Sequence, residues 1–212
     1  MANSIEPCTP ETILSVNNGK ITEGQASPNS TIDCITSDMT HVIACIDVVD
    51  SSRRHLLQLK NLPPLSQRMV TIATAGHVEH CDDLVGEEVG NFLTLDYLKE
   101  EASREAEEEL GLGLSKYLGI TPENLEFDRM AYDNELCADT MNHLMVIFTR
   151  KVAILYDSII QILFHENEEV NAVRVYEPFE LEQALNSPES PDNPIFFYPP
   201  IKVIINNWLL NS

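Results

Sequence analysis

Short apolar runs separated by polar turns, followed by longer stretches with helical spacing, are the dominant pattern along the chain. The run at 41–49 is apolar and rich in β-branched residues, which predicts a buried strand. Further strands are predicted at 55–59, 69–74, 125–132, 143–152 and 170–175. The segment 154–164 fits a strand or a helix equally well, and an acidic loop is predicted at 165–169.

Three segments carry the apolar spacing of helices. The longest has a core-facing stripe at intervals of three and four residues, formed by Leu95, Leu98, Ala102, Ala106 and Leu110. Thr94 or Asp96 is the predicted N-cap of this helix, and Gly111 is placed for the turn that ends it. Shorter helices are predicted at 178–185 and 200–210, the second with proline in its first turn.

The order of these elements predicts an α+β fold in which a mixed β-sheet lies between α-helices. This domain is expected to cover residues 39–212. Residues 1–38 are polar and form a predicted N-terminal extension. Within it, Asn17-Asn18-Gly19 separates two short β-prone runs, which predicts either a hairpin or a disordered segment.

Composition limits the surroundings in which the protein is expected to work. The net charge is −21, which repels a long polyphosphate, so no long nucleic acid is expected as a partner. No uninterrupted apolar run is long enough to span a bilayer, and the first residues lack the basic and apolar segments of a signal peptide. The five cysteines are widely spaced and are expected to be free thiols. These features predict a cytoplasmic protein with no membrane partner.

Acidic residues are concentrated at 79–109, where twelve Asp and Glu face only two basic residues. Within this stretch, Glu105, Glu108 and Glu109 are one to four residues apart and share one side of the predicted helix. Like charges at this spacing repel each other, and a cation between them would remove the repulsion. Mg²⁺ fits a set of carboxylate oxygens best. A solvated acidic helix is the alternative interpretation.

The segment 104–112 resembles the second half of the Nudix box, Arg-Glu-apolar-x-Glu-Glu-x-Gly-apolar, at every specified position. The first half of the box is less regular. Residues 74–79 resemble the strand and loop that begin it, with Gly76 as the box glycine, whereas counting back from the second half places the box at Gly90 and Asp96. We interpret both patterns together. The box then begins at Gly76, contains an acidic insertion that is expected near the substrate, and has an aspartate in place of its first glutamate.

The resemblance implies a Nudix-type pyrophosphohydrolase, an enzyme that uses Mg²⁺ or Mn²⁺ to cleave a pyrophosphate bond in a nucleoside diphosphate linked to another moiety. The metal ligands that it implies are Glu105, Glu108, Glu109 and the carbonyl oxygen of Ala75. Arg104 is implied to orient the helix by pairing with a carboxylate through its planar guanidinium. The implied partner is a small nucleotide-like substrate, and a homodimer is possible because such dimers are common in the family.

A general base is expected outside the helix. In the family it often comes from a loop before a late strand, and here the loop at 165–169 offers Glu168 and Glu169. Solvated loop acids are the alternative interpretation. His77 and His80 flank the first loop of the box and are candidates for contacts with phosphate, although exposed loop histidines are the commoner case.

Three other functions are open at this point. One is an isomerase acting on isoprenyl diphosphates, which shares the fold but needs a positioned cysteine and a histidine-rich metal site. Cys45 and Cys81 are present, and neither lies in a matching motif. The second is a binding module that keeps the fold without turnover, and the third is a plain acidic interaction protein.

Overall fold

The structure is a computed structural model, and it describes residues 11–26, 40–62, 67–132, 143–186, 195–197 and 199–210. Ten strands form one sheet: β1 (Glu11–Asn17), β2 (Lys20–Ala26), β3 (Thr40–Asp50), β4 (His55–Leu62), β5 (Gln67–Ile72), β6 (Thr74–His77), β7 (Glu126–Tyr132), β8 (His143–Val152), β9 (Val170–Tyr176) and β10 (Ile195–Phe197). The helices are α1 (Phe92–Leu110), α2 (Leu112–Leu118), α3 (Asp157–Leu163), α4 (Pro178–Asn186) and α5 (Pro199–Leu210).

The sheet is mixed and is built around β3. Strand β3 runs parallel to β8 and antiparallel to β1, β4 and β6, and a second parallel pair joins β10 to β5. Alternate residues of β3 therefore enter two different cores. The stripe of α1 packs on one face of the sheet with Val42 and Ala44, while Ile43 and Cys45 pack on the other with residues of α4 and α5. The predicted α+β fold, a mixed sheet between helices, is confirmed.

Most predicted elements are present at the expected positions, with a few differences. The run predicted as one strand at 69–74 divides into β5 and β6, because the chain bends at Ala73. The ambiguous segment 154–164 contains helix α3. Helix α2 was not expected, and it follows α1 directly because Gly111 takes a φ of 82° between them.

The predicted N-cap of α1 is wrong. Asn91 caps the helix, and its side-chain oxygen accepts a hydrogen bond of 2.8 Å from the backbone N–H of Thr94. Helix α1 therefore begins at Phe92, before the first residue of its apolar stripe. The apolar spacing does not reveal this first turn, because the Phe92 ring is exposed.

The N-terminal segment contains the hairpin β1–β2, which extends the sheet through pairing of β1 with β3. The loop between β6 and α1, which includes the acidic insertion, lies along this hairpin. Ile21 donates a backbone hydrogen bond to Glu87, and Gly86 donates one to Ile21, both at 2.9 Å. Leu14 and Ile21 of the hairpin belong to the core on the α1 face. Leu84 and Val89 of the insertion are buried in the same core, so apolar packing holds the insertion together with the backbone hydrogen bonds.

Two further observations bear on the compositional expectations. Within the described ranges, no helix is both long enough and apolar enough to cross a membrane. Cys45 and Cys81 are free thiols, and the other three cysteines lie outside the described residues.

Candidate active site

The site begins where α1 crosses β6. Gly76 lies so close to α1 that a Cβ atom at this position would be 1.9 Å from the Oε2 atom of Glu105. Only glycine allows the carboxylate to reach the strand backbone here, since any side chain would displace it. The position of Gly76 against Glu105 supports Gly76, rather than Gly90, as the glycine that begins the box.

Glu109 lies one turn further along α1 and is almost fully buried, with 2% of its surface exposed. Its Oε2 atom accepts hydrogen bonds from the backbone N–H of Ala75 at 3.0 Å and from the Gln58 amide at 3.1 Å. Its Oε1 atom forms an ion pair with the ammonium group of Lys60. A buried carboxylate is costly unless it is paired, and these three contacts supply the compensation.

Lys60 holds a positive charge between two groups that were expected to bind metal. Its Nζ atom donates a hydrogen bond of 2.7 Å to the carbonyl oxygen of Ala75 and also pairs with Glu109. Burial opposes the charge on Lys60, but attraction by Glu109 and Glu169 outweighs it, so the pKa of Lys60 is raised. The geometry thus forms a cation position bounded by a backbone carbonyl and a carboxylate. Lys60 and Gln58 were missed by the sequence analysis, because two polar residues on a strand carry no pattern.

Arg104 joins the acidic side chains of α1 to one another. Its guanidinium donates hydrogen bonds to Glu105 at 2.6 Å, to Glu108 at 2.8 Å and to Glu101 at 3.1 Å. Burial opposes the charge of Arg104, but the hydrogen bonds to Glu101 and Glu108 outweigh it and raise its pKa. One planar cation therefore holds three carboxylates of the helix in fixed positions.

Glu101 connects this network to the loop after β6. It is 8% exposed, and its Oε2 atom accepts a hydrogen bond of 3.1 Å from the backbone N–H of Glu79. The Tyr97 hydroxyl donates a hydrogen bond of 3.2 Å to the backbone carbonyl of Glu79. Arg104 is therefore linked to the loop after β6 through Glu101. The sequence analysis did not single out Glu101, which lies in a Glu-Glu-Ala triplet at 100–102.

The loop at 165–169 is fastened to the C-terminal end of α1. The Asn167 amide donates to the backbone carbonyl of Glu109 at 2.9 Å, and its side-chain oxygen accepts from the backbone N–H of Val170 at 2.7 Å. Glu168 and Glu169 are both exposed on this loop, and the charge of Glu169 contributes to the raised pKa of Lys60.

The carboxyl group of Glu105 resists ionisation. Burial raises its pKa to about 7, the Arg104 cation opposes this shift, and the charges of Glu109 and Glu108 add to it. A divalent cation beside these three carboxylates would favour the ionised form. The raised pKa therefore reflects chiefly the burial of this carboxyl group, and the neighbouring carboxylates add to it.

This pKa predicts how the stability of the metal-free protein depends on pH. The pKa of about 7 in the folded protein exceeds the ordinary value of 4.5. Between these two pH values the folded state binds a proton that the unfolded state releases. The contribution of Glu105 to the free energy of unfolding is complete below pH 4.5 and is lost as the pH rises through about 7. Urea unfolding in the presence of a chelator, at pH values on both sides of this window, measures the loss. In Glu105→Gln the free energy of unfolding should depend less on pH than in wild type. Glu100→Gln, on the exposed side of α1, should behave like wild type. An unchanged pH dependence in Glu105→Gln would contradict the raised pKa of Glu105.

The two candidate histidines of the first loop have different surroundings. The ring of His77 lies against those of His41 and His143, with centroid distances of 5.8 and 5.3 Å. Burial, followed by the charges of the neighbouring histidines, lowers the pKa of His77 to about 3. His80 instead lies 3.0 Å from the carboxylate of Asp82. His77 is therefore a neutral, largely enclosed imidazole rather than an exposed cation aimed at phosphate.

Cys45 bears on the isomerase alternative. Its thiol is fully buried in the core on the face of α4 and α5, and burial raises its pKa to about 12. A thiol in this state is a poor nucleophile and a poor acid near neutral pH.

Comparison with known proteins identifies similarity at the level of structure. No family model and no curated protein matches the sequence. Among solved structures, the DR0079 protein of Deinococcus radiodurans is 13% identical over 93% of this chain and 98% of that chain, with a TM-score of 0.49. A Caenorhabditis elegans Ap4A hydrolase is 15% identical over 81% of this chain and 98% of that one, with a TM-score of 0.44. A Nudix hydrolase from Nitrosomonas europaea is 12% identical over 81% and 90%, with a TM-score of 0.45. The solved structures similar to this chain at low identity thus include a Nudix hydrolase.

Proposed function

We propose that the protein is a metal-dependent hydrolase that cleaves a pyrophosphate bond in a nucleoside diphosphate linked to another moiety. One observation carries the proposal: Glu105, Glu109 and the Ala75 carbonyl converge where α1 meets β6, around a place that already holds the Lys60 cation. Glu108 lies on the same side of the helix, joined to Glu105 through Arg104. This is a set of hard oxygen donors beside a position that a cationic side chain occupies.

The donors fit Mg²⁺ or Mn²⁺, since both prefer carboxylate and carbonyl oxygens. The proposed ligands are Glu105, Glu108, Glu109 and the carbonyl oxygen of Ala75. When bound, the metal would neutralise the pyrophosphate and acidify a water molecule. Lys60 contacts both a carbonyl and a carboxylate of this set, so its ammonium group must leave Ala75 when the metal is bound.

The other residues of the site position the carboxylates or accept a proton from the attacking water. Arg104 is a positioning residue, since it fixes three carboxylates and, through Glu101, the loop after β6. Glu169 is the proposed general base that accepts a proton from the attacking water, because Asn167 fastens its loop to the end of α1. Glu168, which is exposed on the same loop, is the second candidate for this step.

The test is hydrolysis of a panel of nucleoside diphosphate compounds, assayed with Mg²⁺, with Mn²⁺ and with a chelator. The panel contains nucleotide sugars, ADP-ribose, dinucleoside polyphosphates, oxidised nucleoside triphosphates and capped RNA ends. We expect turnover of at least one class that depends on metal and is abolished in Glu108→Gln. Glu107→Gln is the matched control, because that residue is exposed on another side of the same helix and should leave turnover unchanged.

The outcomes separate the alternatives. Metal binding without turnover of any compound in the panel would point to a binding module. A protein that binds neither Mg²⁺ nor Mn²⁺ would overturn the proposal. Turnover that survives both the chelator and Glu108→Gln would place the chemistry elsewhere in the molecule.

A further inference from the structure

Three histidines meet on the face of the sheet opposite α1. His41 and His143 are directly paired across the parallel strands β3 and β8, and His77 pairs with Ile43, two residues from His41 on β3. Because side chains alternate along a strand, His41 lies on the same face as Ile43. That face packs on α4 and α5, whereas the stripe of α1 packs on the other. The histidines and the glutamates of α1 are therefore two separate groups.

The three imidazoles are close enough to share one ion. A ligand nitrogen from each ring lies within 4.8 Å of the others. A metal held at about 2.0–2.1 Å by imidazole nitrogens in a tetrahedral arrangement needs them about 3.4 Å apart, so the rings must rotate to bring the nitrogens closer by up to about 1.4 Å. His41 is 2% exposed and His143 is 6% exposed, whereas His77 is partly exposed.

His77 supplies a second observation that points to a ligand. Its Nε2 atom is buried, and no residue in the described part of the chain forms a hydrogen bond with it. A buried polar nitrogen without a partner is costly, and coordination of a metal would remove that cost.

We propose that His41, His77 and His143 form a second metal site, which takes Zn²⁺ or a similar transition ion rather than Mg²⁺. Neutral imidazoles are ligands for zinc, copper and nickel, whereas Mg²⁺ prefers oxygen. Three histidines leave one coordination position for water or for an oxygen of a ligand. The site also joins β3, β6 and β8, and it lies next to Gly76 in the chain. A bound ion would therefore fix the strand that presents the Ala75 carbonyl to the glutamates.

The test uses Zn²⁺ and Co²⁺ alone with the full-length protein. Metal-free protein is incubated with Zn²⁺ and desalted, and bound zinc is then counted. We expect wild type to retain a single ion, and we expect His77→Gln and His143→Gln to lose it. His165→Gln is the matched control because His165 is exposed in the loop before β9, and it should retain zinc. Glu105→Gln should retain zinc as well, which separates this site from the carboxylates.

Co²⁺ identifies the ligands through its visible spectrum, which is intense for four-coordinate nitrogen-bound cobalt and faint for octahedral oxygen-bound cobalt. We expect the intense spectrum in wild type and in Glu105→Gln, and its loss in His77→Gln. If a variant fails to fold by circular dichroism, the wild-type zinc count and cobalt spectrum decide the question. Absence of retained zinc with a faint cobalt spectrum in wild type would overturn the proposal, as would unchanged zinc retention in His77→Gln.

Discussion

Glu105→Gln is expected to lower kcat by about two to three orders of magnitude, because it removes a charged group from the proposed ligands of a metal whose charge stabilisation is worth several kcal/mol. The substitution keeps the shape of the side chain beside Gly76. Steady-state kinetics at saturating Mg²⁺ on whichever compound wild type hydrolyses would measure the loss. A kcat equal to that of wild type would contradict the assignment of Glu105 as a ligand.

The same substitution is expected to stabilise the metal-free protein above neutral pH. The carboxyl of Glu105 is ionised there in spite of its burial, which raises its pKa to about 7, and a neutral amide avoids this cost. Thermal unfolding with a chelator would measure the gain, and Glu100→Gln, on the exposed side of α1, is the control for both measurements. A variant that is more stable but inactive distinguishes a functional carboxylate from a structural one, because functional groups are often held in unfavourable surroundings.

Helical periodicity explains why the carboxylates could be predicted from the sequence. The 3.6-residue repeat places Glu105, Glu108 and Glu109 on one side of α1 whatever the rest of the chain does. The stripe from Leu95 to Leu110 fixes which side packs on the sheet. Local rules therefore determine the glutamate part of the site.

The partners of those carboxylates could not be predicted in the same way. Gln58 contacts Glu109 across 51 residues of sequence, and this contact depends on how β4 and β6 pair with β3. The histidine cluster has the same origin, since strand register rather than spacing brings His41, His77 and His143 together. Register is a property of the whole sheet, and no short segment encodes it.

The acidic insertion shows a further limit. The interrupted box predicted an insertion after Gly76, but the sequence could not show that it lies along β1 and β2. Some of the contacts that hold it are backbone hydrogen bonds, such as those between Gly86, Glu87 and Ile21. Backbone groups are the same in every residue, so such contacts leave no trace in the side-chain pattern.

Lys60→Met is expected to destabilise the metal-free protein by about 3 kcal/mol, because removing one partner of a buried ion pair leaves an uncompensated charge. That charge belongs to Glu109, which is 2% exposed and keeps only its hydrogen bonds from Ala75 and Gln58. Urea unfolding in the presence of a chelator measures the difference. Lys151→Met is the matched control, since Lys151 pairs with Glu126 on the surface and such pairs contribute at most about 1 kcal/mol.

Two further measurements test the cause of this destabilisation. Glu109→Gln should restore much of the stability to Lys60→Met, because the double variant buries no unpaired charge. Mg²⁺ should stabilise Lys60→Met more than it stabilises wild type, since the metal replaces the missing cation and no ammonium group has to leave Ala75. Lys60 would then stabilise the empty site and weaken metal binding at the same time. If Lys60→Met is as stable as wild type without metal, or gains no more from Mg²⁺, the ammonium group does not occupy the place of the metal.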